Sequence, residues 1–171
     1  MTVETFKIEV LPVKHKLYRL AKRLLNNVPE AEDAVQETFL RLWTKKDALK
    51  EYRSIEAFAL TITKNLCLDR MKSKGYKTDE LTENHEKMGE SNPHTRLELT
   101  ESFEKIQLII QSLPEQQRMI IHLRDIEEYD LDEIAEIMEL NMNTIRVNLS
   151  RARKKVREML TKTYNYEFAK N

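Results

Sequence analysis

The chain has 171 residues, 29 basic and 29 acidic side chains, and one cysteine, which excludes an internal disulfide. Its length suits one ordinary domain or two small ones. Two glycines, four prolines and 34% charged residues favour a helix-rich fold over a strand-rich one. The sequence contains no apolar run of about 18 residues that could span a membrane, and its first ten residues do not resemble a signal peptide. We therefore expect a cytoplasmic protein.

Three helices are predicted in the first 75 residues, after a lead-in that ends near residue 11. Apolar side chains recur at helical spacing over residues 13–25, and Asn26 ends that helix. A second helix, over 28–43, combines an apolar face with an acidic one. Ser54 is a suitable N-cap for a third helix that stops at Gly75. The polar residues predicted to point mostly outward from this third helix are Lys64, Asn65, Asp69, Arg70, Lys72 and Lys74.

A stretch without apolar periodicity follows the third helix. Residues 76–93 contain five carboxylates against two lysines, with Gly89, Asn92 and Pro93 as helix breakers. This composition is typical of a flexible acidic linker. The helical period returns at Leu97, and Pro114 separates the next two predicted helices.

The remaining sequence fits a helix-turn-helix. Asp130 and Glu133 form a capping box at the start of a short helix, and a polar break at 141–143 follows. A last helix opens at Thr144, and the tail after Leu160 is expected to fray. We therefore predict an all-α protein of two small helical domains, residues 1–75 and 97–165, joined by a flexible acidic linker over 76–96. The second domain is the helix-turn-helix domain.

The last helix is a candidate DNA-binding element, because residues 141–157 contain six basic side chains and no acidic one. In a helix-turn-helix the second helix lies in the major groove. Arg146 and Asn148, near the helix start, are the candidates for base edges, and the later cations for phosphates. A solvated face, or a membrane- or protein-binding face, remains an alternative for such a helix. The candidate residues are Thr144, Arg146, Asn148, Arg151, Arg153, Lys154, Lys155 and Arg157.

The other charged faces are less specific, and nothing indicates catalysis. The acidic face over 28–43 fits a solvated surface as well as a partner site, and the third helix fits either solvent or nucleic acid. The four histidines are scattered, no glycine-rich phosphate loop exists, and Cys67 lies among apolar neighbours. We therefore predict no enzyme activity, no metal and no cofactor.

Two motifs together resemble bacterial sigma factors. PEAEDAVQETFLRLW, at 29–43, resembles their core-polymerase-binding segment, and LPEQQRMIIHLRDIEEYDLDEIAEIMELNMNTIRVNLSRARKKVREML, at 113–160, resembles their promoter −35-reading domain. The short chain, with two domains and a linker, is similar to the extracytoplasmic-function (ECF) class. Glu139 and Asn143 depart from the pattern, which commonly has glycine and a small residue there; asparagine tolerates left-handed backbone. The third helix fits the family through Phe58, Ile62, Asn65, Asp69 and Lys72.

The resemblance implies a factor that brings core RNA polymerase to promoter DNA, with an anti-sigma factor as a possible partner in the family. The second helix would bind the clamp helices of core RNA polymerase through Asp33, Gln36, Glu37, Leu40 and Arg41. The first domain would capture the −10 element through Tyr52, Arg53, Ser54, Asn65, Asp69 and Lys72, and the second would read the −35 element. Two rivals stay open: an operator-binding regulator that never joins polymerase, and a protein-only adaptor.

Overall fold

The structure is a computed structural model that describes residues 1–74 and 93–170. Most of the predicted linker at 76–96 therefore lies outside the described residues, and its last four positions, 93–96, are helical instead. Within those ranges the chain is helical and contains no strand, which confirms the all-α fold class. The helices are α1 (Val3–Glu9), α2 (Lys14–Leu25), α3 (Val28–Thr44), α4 (Ile55–Ser73), α5 (Pro93–Gln111), α6 (Glu115–Ile121), α7 (Leu131–Met138) and α8 (Met142–Lys170). Short helical turns occupy Leu11–Val13, Leu49–Glu51 and His122–Ile126.

Local capping signals place most helix starts and stops where the sequence predicts them. Asn26 has the left-handed conformation (φ 47°) that ends α2, and Asn27 caps α3 by accepting from the Glu30 N–H at 3.0 Å. Ser54 caps α4 by accepting from the Ala57 N–H at 3.1 Å. Glu133 accepts from the Asp130 N–H at 2.9 Å and completes the capping box of α7. Each side chain satisfies a backbone donor that a helix terminus leaves unpaired.

Both ends of the chain differ from the prediction. The expected lead-in contains α1, which Thr2 caps and which buries Phe6 edge-on against Trp43 with ring centroids 5.1 Å apart. The tail expected to fray continues α8 to Lys170, because residues 161–170 contain no glycine or proline to end a helix. The start of α8 is also earlier than predicted: Asn141, and not Thr144, is its N-cap, accepting from the Thr144 N–H at 2.8 Å.

The first half packs α2, α3 and α4 around one core. Leu17, Leu20 and Leu42 are at most 1% exposed, as is Leu60 of α4. Two threonines lie in this core with their hydroxyl oxygens 2.9 Å apart, and each oxygen also lies 2.9–3.0 Å from a carbonyl of its own helix, so each hydroxyl proton has a buried acceptor. A buried hydroxyl is costly without such partners. This core fixes the faces of α3 and α4 that point away from it.

The second half packs α6, α7 and α8 together, with α5 against α8. Ile120, Leu123, Ile134 and Ile145 are fully buried there. The turn between α7 and α8 contains one residue with positive φ, Glu139 at 56°. The departure from the family's glycine therefore lies at the left-handed position itself, whereas Asn143 lies inside α8.

The two halves are in direct contact, which the sequence could not predict. Their buried apolar residues form one continuous cluster, and α4 packs against α7. Arg19 of α2 forms two hydrogen bonds with Glu127, at 2.5 and 2.8 Å, and the Tyr129 hydroxyl hydrogen-bonds Glu56. The helix-turn-helix is thus held against the first half by apolar packing and by polar contacts at the rim.

Candidate nucleic-acid interface

The face of α3 predicted to bind a protein partner is accessible along its length. Asp33, Gln36 and Arg41 are exposed, Glu37 is half-buried, and Leu40 is 66% exposed despite its apolar side chain. The opposite side of α3 is anchored by Ala34, Val35, Thr38 and Leu42, which are buried against α2 and α4. Helical periodicity therefore separates the buried face of α3 from its solvent-facing side.

Two carboxylates on this face are held by Arg70 of α4. One Arg70 nitrogen lies 2.6 Å from Asp33 Oδ2 and 3.1 Å from Glu37 Oε2, while Arg41 bonds the other Glu37 oxygen at 2.7 Å. Arg70 also donates to the Glu30 carbonyl at 3.3 Å. Charge-assisted bonds of this kind fix side-chain rotamers. Sequence reasoning placed Arg70 mostly outward and missed this role, because the pairing joins residues 37 positions apart.

The loop before α4 presents an aromatic platform. The Tyr52 ring stacks on Phe58 with centroids 3.9 Å apart and planes inclined by 19°, and it remains 38% exposed. Lys45 Nζ lies 5.6 Å from the Phe58 ring centroid. A surface pocket of about 620 Å³ beside the platform is lined by Tyr52, Arg53 and Ser54, among others. The exposed face of a supported aromatic ring is a surface on which a nucleobase can stack.

The outward face of α4 agrees with the sequence at four of six predicted positions, while Arg70 is half-buried and Lys64 is buried. Asn65, Asp69 and Lys72 are exposed, on the side of the helix that faces neither core. Lys64, predicted to point outward, is instead buried at 4% exposure. The sequence prediction for Lys64 was wrong because the second half covers it, a contact between residues more than 70 positions apart.

The basic helix α8 is anchored on one side and open on the other. Ile145, Leu149 and Ala152 are buried, so the cations between them point outward. Thr144 and Asn148 are half-buried, and the Asn148 amide donates to the Thr144 carbonyl at 2.9 Å. The exposed cations that form no ion pair within the described ranges are Arg146, Arg151, Lys155 and Arg157.

Two of the predicted phosphate contacts already have acidic neighbours. Arg153 forms a two-pronged interaction with Asp125, at 3.0 and 2.5 Å. Lys154 lies 4.0 Å from Glu158 on the next turn, where both side chains are largely exposed. A paired guanidinium offers less net positive charge to a phosphate than a free one. Arg153 is therefore a less favourable DNA contact than Arg151, the neighbouring arginine of α8 that has no ion pair within the described ranges.

The part of the chain that the structure describes shows neither a reactive cysteine, nor a metal site, nor a membrane-spanning helix. Cys67 is fully buried, and burial raises the pKa of its thiol to about 12, so the thiolate nucleophile is suppressed. No group of His, Cys, Asp and Glu among these residues could hold a metal ion. None of the helices described is long and apolar enough to cross a membrane.

Comparison with known proteins identifies the family. The model of sigma-70 region 2 matches residues 10–76, and the model of sigma-70 region 4 matches residues 103–156. The ECF RNA polymerase sigma factor SigW of Bacillus subtilis is 31% identical over 157 residues, which cover 86% of this chain and 84% of SigW.

Solved structures give the same assignment. The sigma factor RpoE, in complex with the anti-sigma factor NepR from Bartonella quintana, superposes with a TM-score of 0.75 and 25% identity, covering 93% of this chain and 98% of RpoE. CnrH, in complex with the cytosolic domain of CnrY, has a TM-score of 0.65 at 21% identity over 94% of this chain and 90% of that one, which shows the shared fold. The resemblance seen in the two sequence motifs is confirmed, and the chain belongs to the ECF RNA polymerase sigma factors.

Proposed function

We propose that this protein joins core RNA polymerase and directs it to promoters, where transcription then starts. The observation that carries the proposal is that one ECF sigma chain has two exposed helix faces of opposite charge, an acidic face on α3 and a basic face on α8. A polymerase-binding surface and a DNA-binding surface are both needed for promoter-directed initiation. In this role the protein acts in the cytoplasm as a binding factor, and it is not itself an enzyme.

Polymerase binding is assigned to α3. Asp33, Gln36, Glu37, Leu40 and Arg41 form one continuous exposed strip, in which an apolar leucine lies among charges. An apolar side chain that is surrounded by charged groups is a common arrangement for a protein contact. The ion pairs to Arg70 hold Asp33 and Glu37 in place before the clamp helices arrive, which lowers the entropic cost of binding.

Recognition of the −10 element is assigned to the Tyr52 platform and the exposed face of α4. One Tyr52 face is covered by Phe58, which leaves the other for an extruded base. Arg53 and Lys72 would hold the backbone of the separated strand, and Asn65 and Asp69 offer polar groups to base edges. Ser54 contributes by capping α4 and thereby fixing the loop that contains the tyrosine.

Recognition of the −35 element is assigned to α8. Arg146 is the best placed for a base edge, since it is exposed in the second turn of the reading helix. Thr144 and Asn148 lie beside it, and Arg151, Lys154, Lys155 and Arg157 continue along the helix towards phosphates, with Arg153 as a weaker contact. The functional domains would be residues 1–75 and 97–165, joined by the linker at 76–96.

An anti-sigma factor is a suitable regulatory partner. RpoE and CnrH, which share this fold, were both solved with a protein partner: the anti-sigma factor NepR and the cytosolic domain of CnrY. We propose that an anti-sigma partner likewise restrains this protein until an extracytoplasmic signal releases it.

The test is transcription in vitro with purified core RNA polymerase and a library of promoter fragments. Specific transcripts that require this protein are expected, and the promoters can be identified by sequencing the RNA. The same transcripts must be absent when core polymerase is used alone. If the protein binds particular DNA fragments tightly without polymerase and never supports initiation, it is an operator-binding regulator and the proposal fails.

A further inference from the structure

The contact between the two halves hides one basic residue of the proposed −10 surface. Lys64 directly precedes Asn65 in α4, yet only 4% of its surface is exposed. Its amine donates to the Ile137 carbonyl at 3.0 Å and to Glu139 Oε2 at 3.3 Å. Both acceptors belong to the end of α7 and the turn of the helix-turn-helix. The turn of the −35-reading motif is thus seated on a cation of the −10-reading helix.

This environment suits an ammonium group. Ile137 lies in the last turn of α7, where carbonyls lack an intrahelical partner and the helix dipole is negative. The Glu139 carboxylate adds a full negative charge, and its side chain remains 64% exposed. A buried lysine is costly without such partners, so the amine is held by two anionic or partly negative oxygens. A DNA phosphate would present the same kind of oxygen.

Glu139 is an unexpected residue for its backbone conformation. It adopts the left-handed conformation at φ 56°, which costs a non-glycine residue about 1 kcal/mol. Glycine at this position would remove that cost. What the glutamate adds is the carboxylate that contacts Lys64. The side chain is therefore explained by the contact between the halves and not by the turn.

The contact cannot persist on a promoter. The −10 and −35 elements are separated by about 25 base pairs, or about 85 Å at the rise of B-DNA. Here the helix-turn-helix turn lies within hydrogen-bonding distance of α4. Binding both elements at once must separate the two halves, and separation exposes Lys64 beside Asn65, Asp69 and Lys72.

We infer that Lys64 is a further DNA-backbone contact of the −10 surface, and that Glu139 occupies its amine until the halves separate. The inference rests on the proposed function, because it uses the −10 and −35 assignments. In the closed arrangement the glutamate takes the place of a phosphate on Lys64. Opening the contact frees the lysine to bind a single strand.

The test uses the full chain without polymerase and a fluorescent 30-nucleotide oligo(dT) as a single-stranded probe. Glu139→Gln weakens an ion pair whose carboxylate is exposed to solvent and raises the open population, so affinity for the probe is expected to rise about threefold. One additional phosphate contact should also steepen the dependence of log K on log salt concentration by about 0.7. Glu136→Gln removes an exposed carboxylate three residues earlier, in α7, and should cause neither change.

A double variant isolates the amine. Lys64→Met combined with Glu139→Gln breaks the same contact but lacks the amine, so the steeper salt dependence is expected to disappear. The inference is overturned if the double variant keeps the full gain, if Glu136→Gln gives an equal gain, or if Glu139→Gln does not bind the probe more tightly. Since the assay contains no polymerase, such a failure removes the role of Lys64 and leaves promoter-directed initiation to be judged by the transcription assay.

Discussion

The charged faces of α3 and α8 differ in how their side chains are paired. On α3, Asp33 and Glu37 are tied to Arg70, and Glu37 is tied to Arg41 as well. On α8, most cations point into solvent without an ion pair within the described ranges, and Arg153 is the main exception. One face is held in a fixed arrangement by ion pairs within the protein, while the other consists largely of exposed, unpaired charges.

The difference follows from what each face is proposed to meet. A protein partner presents fixed side chains, so affinity gains from groups that are already ordered before binding. A DNA backbone presents evenly spaced phosphates, and binding gains mainly from the release of condensed counterions. Exposed, unpaired lysines and arginines suffice for that, whereas ion pairs would neutralise part of their charge. The comparison predicts which substitutions act through geometry and which act through charge.

The largest effect is expected from reversing the charge in the ordered face. Glu37→Lys would set a third cation beside Arg70 and Arg41 and would remove the carboxylate that both arginines contact. We expect the affinity for core RNA polymerase to fall about 100-fold, as for charge pairs at other protein interfaces. The measurement is a polymerase titration with fluorescently labelled protein.

Two variants check that this loss is specific to the α3 face. Glu37→Gln should weaken binding less than the reversal does, and Glu4→Lys, an equal charge change on exposed α1, should leave it unchanged. DNA binding by the full chain without polymerase should also be retained by Glu37→Lys. Unchanged polymerase affinity in Glu37→Lys would remove α3 from the interface.

A buried titratable side chain that is kept neutral represents a third situation, which His122 illustrates. The imidazole is 1% exposed, neither ring nitrogen has a hydrogen-bond partner, and Glu127 Oε1 lies 3.6 Å from Nε2. Burial, reinforced by Arg23 and Arg19 and opposed by Glu127, lowers the pKa of His122 from 6.5 to about 4. The unfolded chain therefore binds a proton between pH 6.5 and 4 that the folded chain does not. Stability is present above pH 6.5 and is lost as the pH falls towards 4.

The free energy of unfolding should fall by about 2 kcal/mol between pH 7 and pH 5 because of His122. Urea unfolding at the two pH values measures it. This window lies above the ordinary pKa of carboxyl groups, so their protonation contributes little to the difference. His122→Leu should abolish most of the loss, while His15→Leu, at an exposed histidine, should retain it. A loss of equal size in both variants would assign the pH dependence to other groups.

The features that the sequence predicted are those set by local interactions. Ser54 caps α4, and Asp130 with Glu133 forms the capping box of α7, through bonds that reach three residues along the chain, so the pattern and the structure agree. The outward faces of α3 and α8 follow from helical periodicity alone. The helix α1 was missed because its single buried apolar residue, Phe6, gives no periodic signal.

The side-chain pairings that the sequence did not predict join partners far along the chain. Arg70 meets Asp33 across 37 positions, Lys64 meets Ile137 across 73, and Arg19 meets Glu127 across 108. A charged residue on a helix looks the same in the sequence whether its neighbour in space is water or a carboxylate. Those contacts decide which predicted surface residues remain free to bind a partner.

The smallest effects are expected from single arginines of α8, where a paired and an unpaired guanidinium can be compared on one helix. Arg151 and Arg153 are two residues apart on the same exposed helix, but Asp125 neutralises only Arg153. Arg151→Gln should reduce the slope of log K against log salt concentration for duplex DNA by about 0.9, the value for one phosphate contact. Arg153→Gln should reduce it by clearly less, because the guanidinium must first leave its carboxylate. Fluorescence anisotropy with a duplex at several salt concentrations measures both slopes. Asp125→Asn in the otherwise unchanged protein should steepen the slope, since it frees Arg153 for a phosphate. Equal slopes for the Arg151 and Arg153 variants would contradict this prediction. They would mean that DNA displaces Asp125 from Arg153 without a loss of binding free energy, and that all the cations of α8 contribute as unpaired charges.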